Sequence, residues 1–187
     1  MIKTKQKLTY FIAEYLWSIG VRNVFGVTGG ASLHLLEAFE QVGNFKIVYN
    51  HHEQASAMCA DAVWRLKQEL SVCVATSGPG AMNLISGIAS SFFDSVPMLC
   101  LTGQVASFRS NEGLNVRQVG FQETDIVDMV GPITKHAKKI SSVKETLEDL
   151  QKAVSIAYSG RKGPVLIDIP DDFQRTIISE NEINPIK

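Results

Sequence analysis

Cysteine is scarce, with three residues in 187, and Cys59, Cys73 and Cys100 form no C-x-x-C pair. That excludes a disulfide-stapled secreted scaffold and a cysteine-based zinc module. Cys73 and Cys100 lie inside apolar runs, as buried, reduced thiols do. The four histidines show no zinc spacing, and adjacent His51 and His52 point apart on extended chain. No residue set is therefore expected to hold a metal. A long apolar run is also missing. The Lys3, Lys5 and Lys7 cluster reads as the solvated face of a first helix, and neither a signal peptide nor a membrane span is expected after it. Net charge is only −1 and the basic residues are scattered, which gives nucleic acid no surface. These absences together predict a cytoplasmic domain with no nucleic-acid or membrane partner.

The usual phosphate and nucleophile fingerprints are missing as well. No G-x-x-x-x-G-K-[ST] occurs, so a P-loop nucleotidase is excluded. The first strand–helix turn, Gly26-Val27-Thr28-Gly29-Gly30, is not G-x-G-x-x-G. Gly78-Pro79-Gly80 starts that pattern, but Asn83 stands where its third glycine belongs, which argues against a nicotinamide site. No G-x-S-x-G elbow is present to support an α/β-hydrolase.

What is present is a globular composition, 45% hydrophobic and 20% charged, at a length suited to one well-buried domain. Leu8, Phe11, Ile12, Tyr15, Leu16 and Ile19 fall on one face of a helix that Gly20 ends. Apolar runs at 24–27, 45–49, 71–76, 97–102 and 164–170 lack polar alternation, as strands covered on both faces do. Helical patterns separate them, at 32–42 behind a Ser32 cap, at 53–67 and at 81–93. Further on, 124–130 and 143–158 read as helices and 133–139 as extended chain. Residues 103–122 have no periodicity and read as a lid or interface segment. Strand and helix in alternation predict an α/β fold, a doubly wound, mostly parallel sheet of about six strands with helices on both faces. The domain is expected over residues 1–170, with 171–187 as a departing linker.

One stretch organises the rest: Asn50-His51-His52-Glu53-Gln54-Ala55-Ser56-Ala57. It joins a strand end to a helix start, where open α/β sheets place ligands. Asn50 and Glu53 also have capping-box spacing, in which the carboxylate would only satisfy a backbone donor. Three loops can approach a flat ligand at the same sheet edge: Thr28-Gly29-Gly30, Ser77-Gly78-Pro79-Gly80 and Gly120-Phe121-Gln122. The residue pattern thus supports a pocket and leaves its ligand open.

Taken together, these pieces resemble the N-terminal, pyrimidine-binding domain of thiamine diphosphate enzymes of the acetolactate synthase (acetohydroxyacid synthase) family. The resemblance rests on Val24-Phe25-Gly26-Val27-Thr28-Gly29-Gly30-Ala31, His52-Glu53-Gln54-Ala55 and Thr76-Ser77-Gly78-Pro79-Gly80-Ala81-Met82-Asn83. It continues through Leu101-Thr102-Gly103-Gln104-Val105, Gly120-Phe121-Gln122-Glu123-Thr124-Asp125, Thr134-Lys135-His136 and 163–170. In the family a glutamate hydrogen-bonds N1′ of the aminopyrimidine, favouring the tautomer that removes the thiazolium C2 proton. The resemblance gives that role to Glu53. By the same carry-over, Thr28, Gly29, Gly30, Pro79 and Gly80 pack close to the pyrimidine with Asn83 near it, and Phe121 and Gln122 face the reacting centre or bind the cofactor, Gln122 also as a catalytic group.

The resemblance also implies a 2-keto acid substrate such as pyruvate and Mg²⁺ held by a domain absent from this chain. A homo-oligomer, dimer or tetramer, or a separate diphosphate-binding subunit would complete the site. The segment equivalent to 104–122 touches flavin in acetolactate synthases, so FAD is admitted as a further cofactor. That segment, with Arg109, Asn111, Glu112, Asn115 and Arg117, departs from the usual pattern. So does Thr28, which stands where many of those enzymes have proline. A decarboxylase or carboligase with another acceptor, such as a keto sugar, remains as an alternative, and so does a non-catalytic binding or regulatory module of the same fold.

Overall fold

The computed structural model describes residues 5–179 and Glu182. Among these residues six strands form one sheet: β1 (Asn23–Gly26), β2 (Lys46–Tyr49), β3 (Val72–Ala75), β4 (Leu99–Gln104), β5 (His136–Lys139) and β6 (Val165–Pro170). Their spatial order is β2-β1-β3-β4-β6-β5, and every neighbouring pair is parallel. The helices are α1 (Leu8–Ser18), α2 (Leu33–Gln41), α3 (Glu53–Lys67), α4 (Pro79–Asn83), α5 (Ile85–Phe93), α6 (Ile126–Val130), α7 (Thr146–Tyr158) and α8 (Asp171–Gln174). The doubly wound class expected from the apolar runs is therefore observed.

Alternation along the strands divides the core. Val72 and Val74 face one side with Leu99, Leu101 and Ile167, against Ile12 and Leu16 of α1 and Phe39 of α2. Cys73 and Ala75 face the other side with Cys100 and Leu166, against Ala57 and Ala60 of α3 and Ile88 of α5. Side chains that alternate across a pleated strand supply both layers from one run of residues. The second layer is thin because its residues are small. A Cβ on Gly87 would overlap that of Ala57, so α3 and α5 meet almost backbone to backbone. The sheet's edges differ from its centre: β2 is largely exposed and β5 carries Lys138 and Lys139, which discourages pairing with another edge.

Four local expectations need correction. Lys5 and Lys7 precede α1 rather than forming its solvated face, and Lys7 pairs with Ile177 in a short ribbon; Lys3 lies outside the described residues. Ser32 makes no side-chain cap; its hydroxyl donates to the Gly29 carbonyl at 3.2 Å, inside a 3-10 turn, Gly30–Ser32, that leads into α2. The helix expected over 81–93 begins two residues earlier, at Pro79, and breaks at Leu84. There the Leu84 N–H turns back to the Ala81 carbonyl at 3.2 Å, a three-residue step that separates α4 from α5. The chain is also folded beyond Pro170. Asp171–Gln174 form α8, and Ile177–Ile178 pair antiparallel with Gln6–Lys7. Apart from Ser179 and Glu182, the remainder of the expected linker lies outside the described residues.

Candidate functional site

The C-terminal edge of the sheet is where the chain changes winding direction. The connection after β1 leads outward to β2, and the connection after β2 returns across β1 to β3. Open α/β sheets place their ligands at such a reversal, here between β1 and β3. The turns after β1 and β3 supply Thr28-Gly29-Gly30 and Ser77-Gly78-Pro79-Gly80. The turn after β2 supplies Glu53, the first residue of α3, which packs beneath β1 and β3.

Glu53 is 7% exposed, a carboxylate drawn into the protein at a helix start. It does not close a capping box. His52 is the N-cap and accepts the Gln54 N–H through Nδ1 at 3.2 Å. Asn50 is occupied elsewhere: its N–H donates to the Gly26 carbonyl at 2.8 Å, and its amide group donates to Ser56 Oγ at 3.0 Å. The Glu53 carboxylate is thus released from any local backbone duty. Its Oε2 accepts from Asn83 Nδ2 at 3.0 Å, which ties α3 to the end of α4. Its Oε1 lies close against Gly80, where a Cβ would stand 3.1 Å away. The break at Leu84 ends α4 at Asn83 and so lets Asn83 reach Glu53.

Thr76 joins the glycine loops. Its Oγ1 accepts the Ala31 N–H at 3.2 Å, and a Cβ on Gly29 would overlap its side chain. A Cβ on Gly80 would lie 2.8 Å from Thr76 Cγ2. Both glycines therefore sit against one threonine, which sets the spacing between the two loops. Gly78 has φ +61°, a conformation that favours glycine, and a Cβ there would come within 2.7 Å of the Gln122 carbonyl oxygen. Gln122 in turn has φ +58°, left-handed for a residue with a side chain.

Contacts accordingly link Gly29, Glu53, Gly80, Asn83 and Gln122, through Thr76 and Gly78. Thr28, Gly30 and Pro79 border the same turns and are exposed, and Phe121 is 85% exposed at the tip of the third loop. Sequence reasoning passed over the role of Thr76, and over a buried network one strand away. Asp168 of β6 accepts from Thr102 Oγ1 at 2.6 Å and Gln104 Nε2 at 2.9 Å. Burial pushes the Asp168 carboxyl up to about 6, against the opposing pull of those two donors. Gln104 Nε2 also donates to the Thr124 carbonyl at 2.8 Å, anchoring the third loop to the sheet. Polar residues within and at the end of apolar runs were the available signal.

A flat ring bearing a hydrogen-bonding nitrogen suits this edge. Glycine lets the carboxylate and the Thr76 side chain sit close to backbone, and Asn83 fixes Oε2 while Oε1 has no partner among the described hydrogen bonds. Among the described residues, no group of three or more His, Cys, Asp and Glu side chains could hold a metal ion, and no helix is long and apolar enough to cross a membrane.

Residues 6–129 match the family described as "Thiamine pyrophosphate enzyme, N-terminal TPP binding domain". The chain is 37% identical over 179 residues to acetolactate synthase 3, chloroplastic, of Brassica napus, covering 94% of this chain and 26% of that protein. It is 42% identical over 170 residues to acetolactate synthase 2, chloroplastic, of Zea mays, covering 88% and 25%. To acetolactate synthase isozyme 3 large subunit of Escherichia coli (strain K12) it is 42% identical over 154 residues, covering 82% and 26%. The chain spans about a quarter of the length of these curated relatives.

Proposed function

The chain belongs to the thiamine pyrophosphate enzyme family, as an acetolactate synthase-like N-terminal TPP-binding domain, and from that premise we propose that Glu53 is its cofactor-activating carboxylate. The observation that supports this most is the Glu53 carboxylate itself. It is buried at the winding reversal of the sheet, held on one oxygen by Asn83 and bordered by Gly80 on the other. Thiamine diphosphate, when bound, supplies a thiazolium carbanion that adds to a carbonyl carbon.

The chain's own residues do the rest of the proposed work. Glu53 Oε1 holds a proton in common with N1′ of the aminopyrimidine. Asn83 keeps the carboxylate from rotating, so the same oxygen stays on the Gly80 side. Gly29, Gly30 and Gly80, with Thr28 and Pro79, let the ring lie against backbone. Phe121 and Gln122 cover the mouth from the third loop and exclude water from the reacting side.

The activity proposed for the whole protein is joining or decarboxylation of 2-keto acids such as pyruvate. Mg²⁺ and the diphosphate are assigned to a second domain or subunit. Mg²⁺ is held by one or two carboxylates together with phosphate oxygens. FAD, as a further cofactor, is assigned to the 104–122 segment. Pairing of this domain with a diphosphate-binding half makes an oligomer the working state.

The test is deuterium exchange at thiazolium C2 of thiamine diphosphate, followed by proton NMR in the full protein with Mg²⁺. Glu53→Gln is expected to slow exchange by about a hundredfold, the scale of a positioned acid–base group. An unchanged exchange rate would falsify the role of Glu53.

A further inference from the structure

The segment between β4 and α6 contains a short regular turn, Ser107–Arg109, and is otherwise irregular, yet it delivers Phe121 and Gln122 to one place. A stretch of this length needs internal partners to hold a single shape. Glu123 provides them. Its Oε1 accepts the Asn111 N–H at 2.7 Å, and its Oε2 accepts those of Val119 at 2.8 Å and Gly120 at 3.2 Å. One carboxylate thus gathers amides from both limbs of the excursion. Its own N–H donates to the Gly120 carbonyl at 3.1 Å, closing the turn that contains Phe121 and Gln122.

That turn is the place where the chain is conformationally unfavourable. Gln122 has φ +58°, and an L-residue in the left-handed region costs about 1–2 kcal/mol. Such conformations persist where surrounding bonds over-determine them and tend to gather at functional sites. Here the bonds are those of Glu123, and Gly78 packs closely against the turn from the other side. Gly78 lies two residues before Gly80, which borders Glu53.

We propose that Glu123 is a positioning residue: its carboxylate holds the 120–122 turn against Gly78, so that Phe121 and Gln122 stand over the Glu53 pocket. This rests on the reading of the pocket given above. The carboxyl stays ionised at neutral pH. Burial alone would raise it, but the Val119, Asn111 and Gly120 amides outweigh that and hold it below the usual carboxylate range. An ionised acceptor serves several amide donors better than a neutral one.

The experiment compares Glu123→Ala, Glu123→Gln and Glu53→Gln in the full protein with thiamine diphosphate, Mg²⁺ and pyruvate. It follows amide hydrogen exchange over 105–124 together with kcat and the KM for thiamine diphosphate. Glu123→Ala is expected to speed exchange at Asn111, Val119 and Gly120 by about tenfold or more, the protection of a charge-assisted bond being lost. It should also lower kcat by about tenfold or more, the scale set by small misplacements of groups at a reacting centre. The KM for thiamine diphosphate should stay within about twofold, since Glu53 and the glycine loops are untouched. Glu123→Gln, which keeps one acceptor oxygen, should fall between the parent and Glu123→Ala on both readouts.

Unchanged exchange would overturn the proposal. So would faster exchange with parental kcat, because the loop would then be merely structural. Parental kcat in Glu53→Gln would defeat the pocket reading first, and the positioning role with it. Loss of kcat in Glu53→Gln but not in Glu123→Ala would defeat the positioning role alone.

Discussion

Asn83 reaches Glu53 across the junction of two helices, its Nδ2 donating to Oε2 at 3.0 Å from the last residue of α4 to the first residue of α3. The bond leaves Oε1 as the oxygen beside Gly80. Asn83→Ala should barely change the fold, because Asn83 itself is exposed. Thermal unfolding should shift by no more than a few degrees, about 1 kcal/mol or less. Thiazolium C2 exchange should slow by about tenfold as the carboxylate gains rotational freedom. NMR exchange and a thermal melt on the same sample check both halves of the prediction.

Gly80→Ala tests the close approach of Glu53 to the loop. The added methyl would stand 2.8 Å from Thr76 Cγ2 and 3.1 Å from Glu53 Oε1. Both neighbours are held, Thr76 by the Ala31 amide and Glu53 by Asn83, so neither can withdraw freely. A cost of about 1–3 kcal/mol in urea unfolding is expected, as for overpacking elsewhere. Binding of thiamine diphosphate, measured calorimetrically in the full protein, should be lost to a greater extent than stability.

Gly103→Ala should be more damaging to the fold. Gly103 lies on β4, and a Cβ there would overlap the Ala31 carbonyl of the turn before α2. That carbonyl is also fixed by Gln174 Nε2 at 2.7 Å, so the turn cannot move without breaking that bond. The expected loss is about 3 kcal/mol or more, the upper end for overpacking. A denaturation midpoint within error of the parent would contradict it.

Asp168 predicts a pH dependence of stability. Its carboxyl is raised from 3.8 to about 6 in the folded protein, chiefly by burial. The folded state therefore binds this proton more tightly than the unfolded state does. Its contribution is fully present below about pH 4 and is lost as pH rises through about 6. From the shift, the change is on the order of 3 kcal/mol. Asp168→Asn cannot titrate, so the difference between variant and parent in urea unfolding should change across pH 4–6 and level off above about 7. A difference independent of pH would show that the carboxyl titrates normally.

Much of the fold was legible because parallel strands buried on both faces write themselves as apolar runs. Those runs and the helices between them reveal the doubly wound class before any contact is known. Glu53 was legible as a carboxylate at a strand–helix junction, and its neighbours as glycine-rich turns. The break at Leu84 was not legible, since 79–93 is helix-compatible throughout and the step depends on tertiary fit. His52 was likewise missed as the N-cap because histidine is an uncommon choice there and Asn50 offered a commoner pattern. Glu123 was visible only as one member of the Gly120–Asp125 piece of the resemblance, with no role attached to it. Its importance lies in amides from Asn111 to Gly120, which no local pattern joins.

The ribbon formed by Gln6–Lys7 and Ile177–Ile178 determines how the domain responds to being pulled. Gln6 pairs with Ile178 and Lys7 with Ile177, so the chain enters and leaves at the same end of the ribbon. Tension applied through Lys5 and Ser179 would peel these bonds apart in sequence rather than shear them together. The ribbon would open at low force while the parallel sheet stayed unloaded. The Gln6–Ile178 pair would part before the Lys7–Ile177 pair, and both before any strand of the sheet.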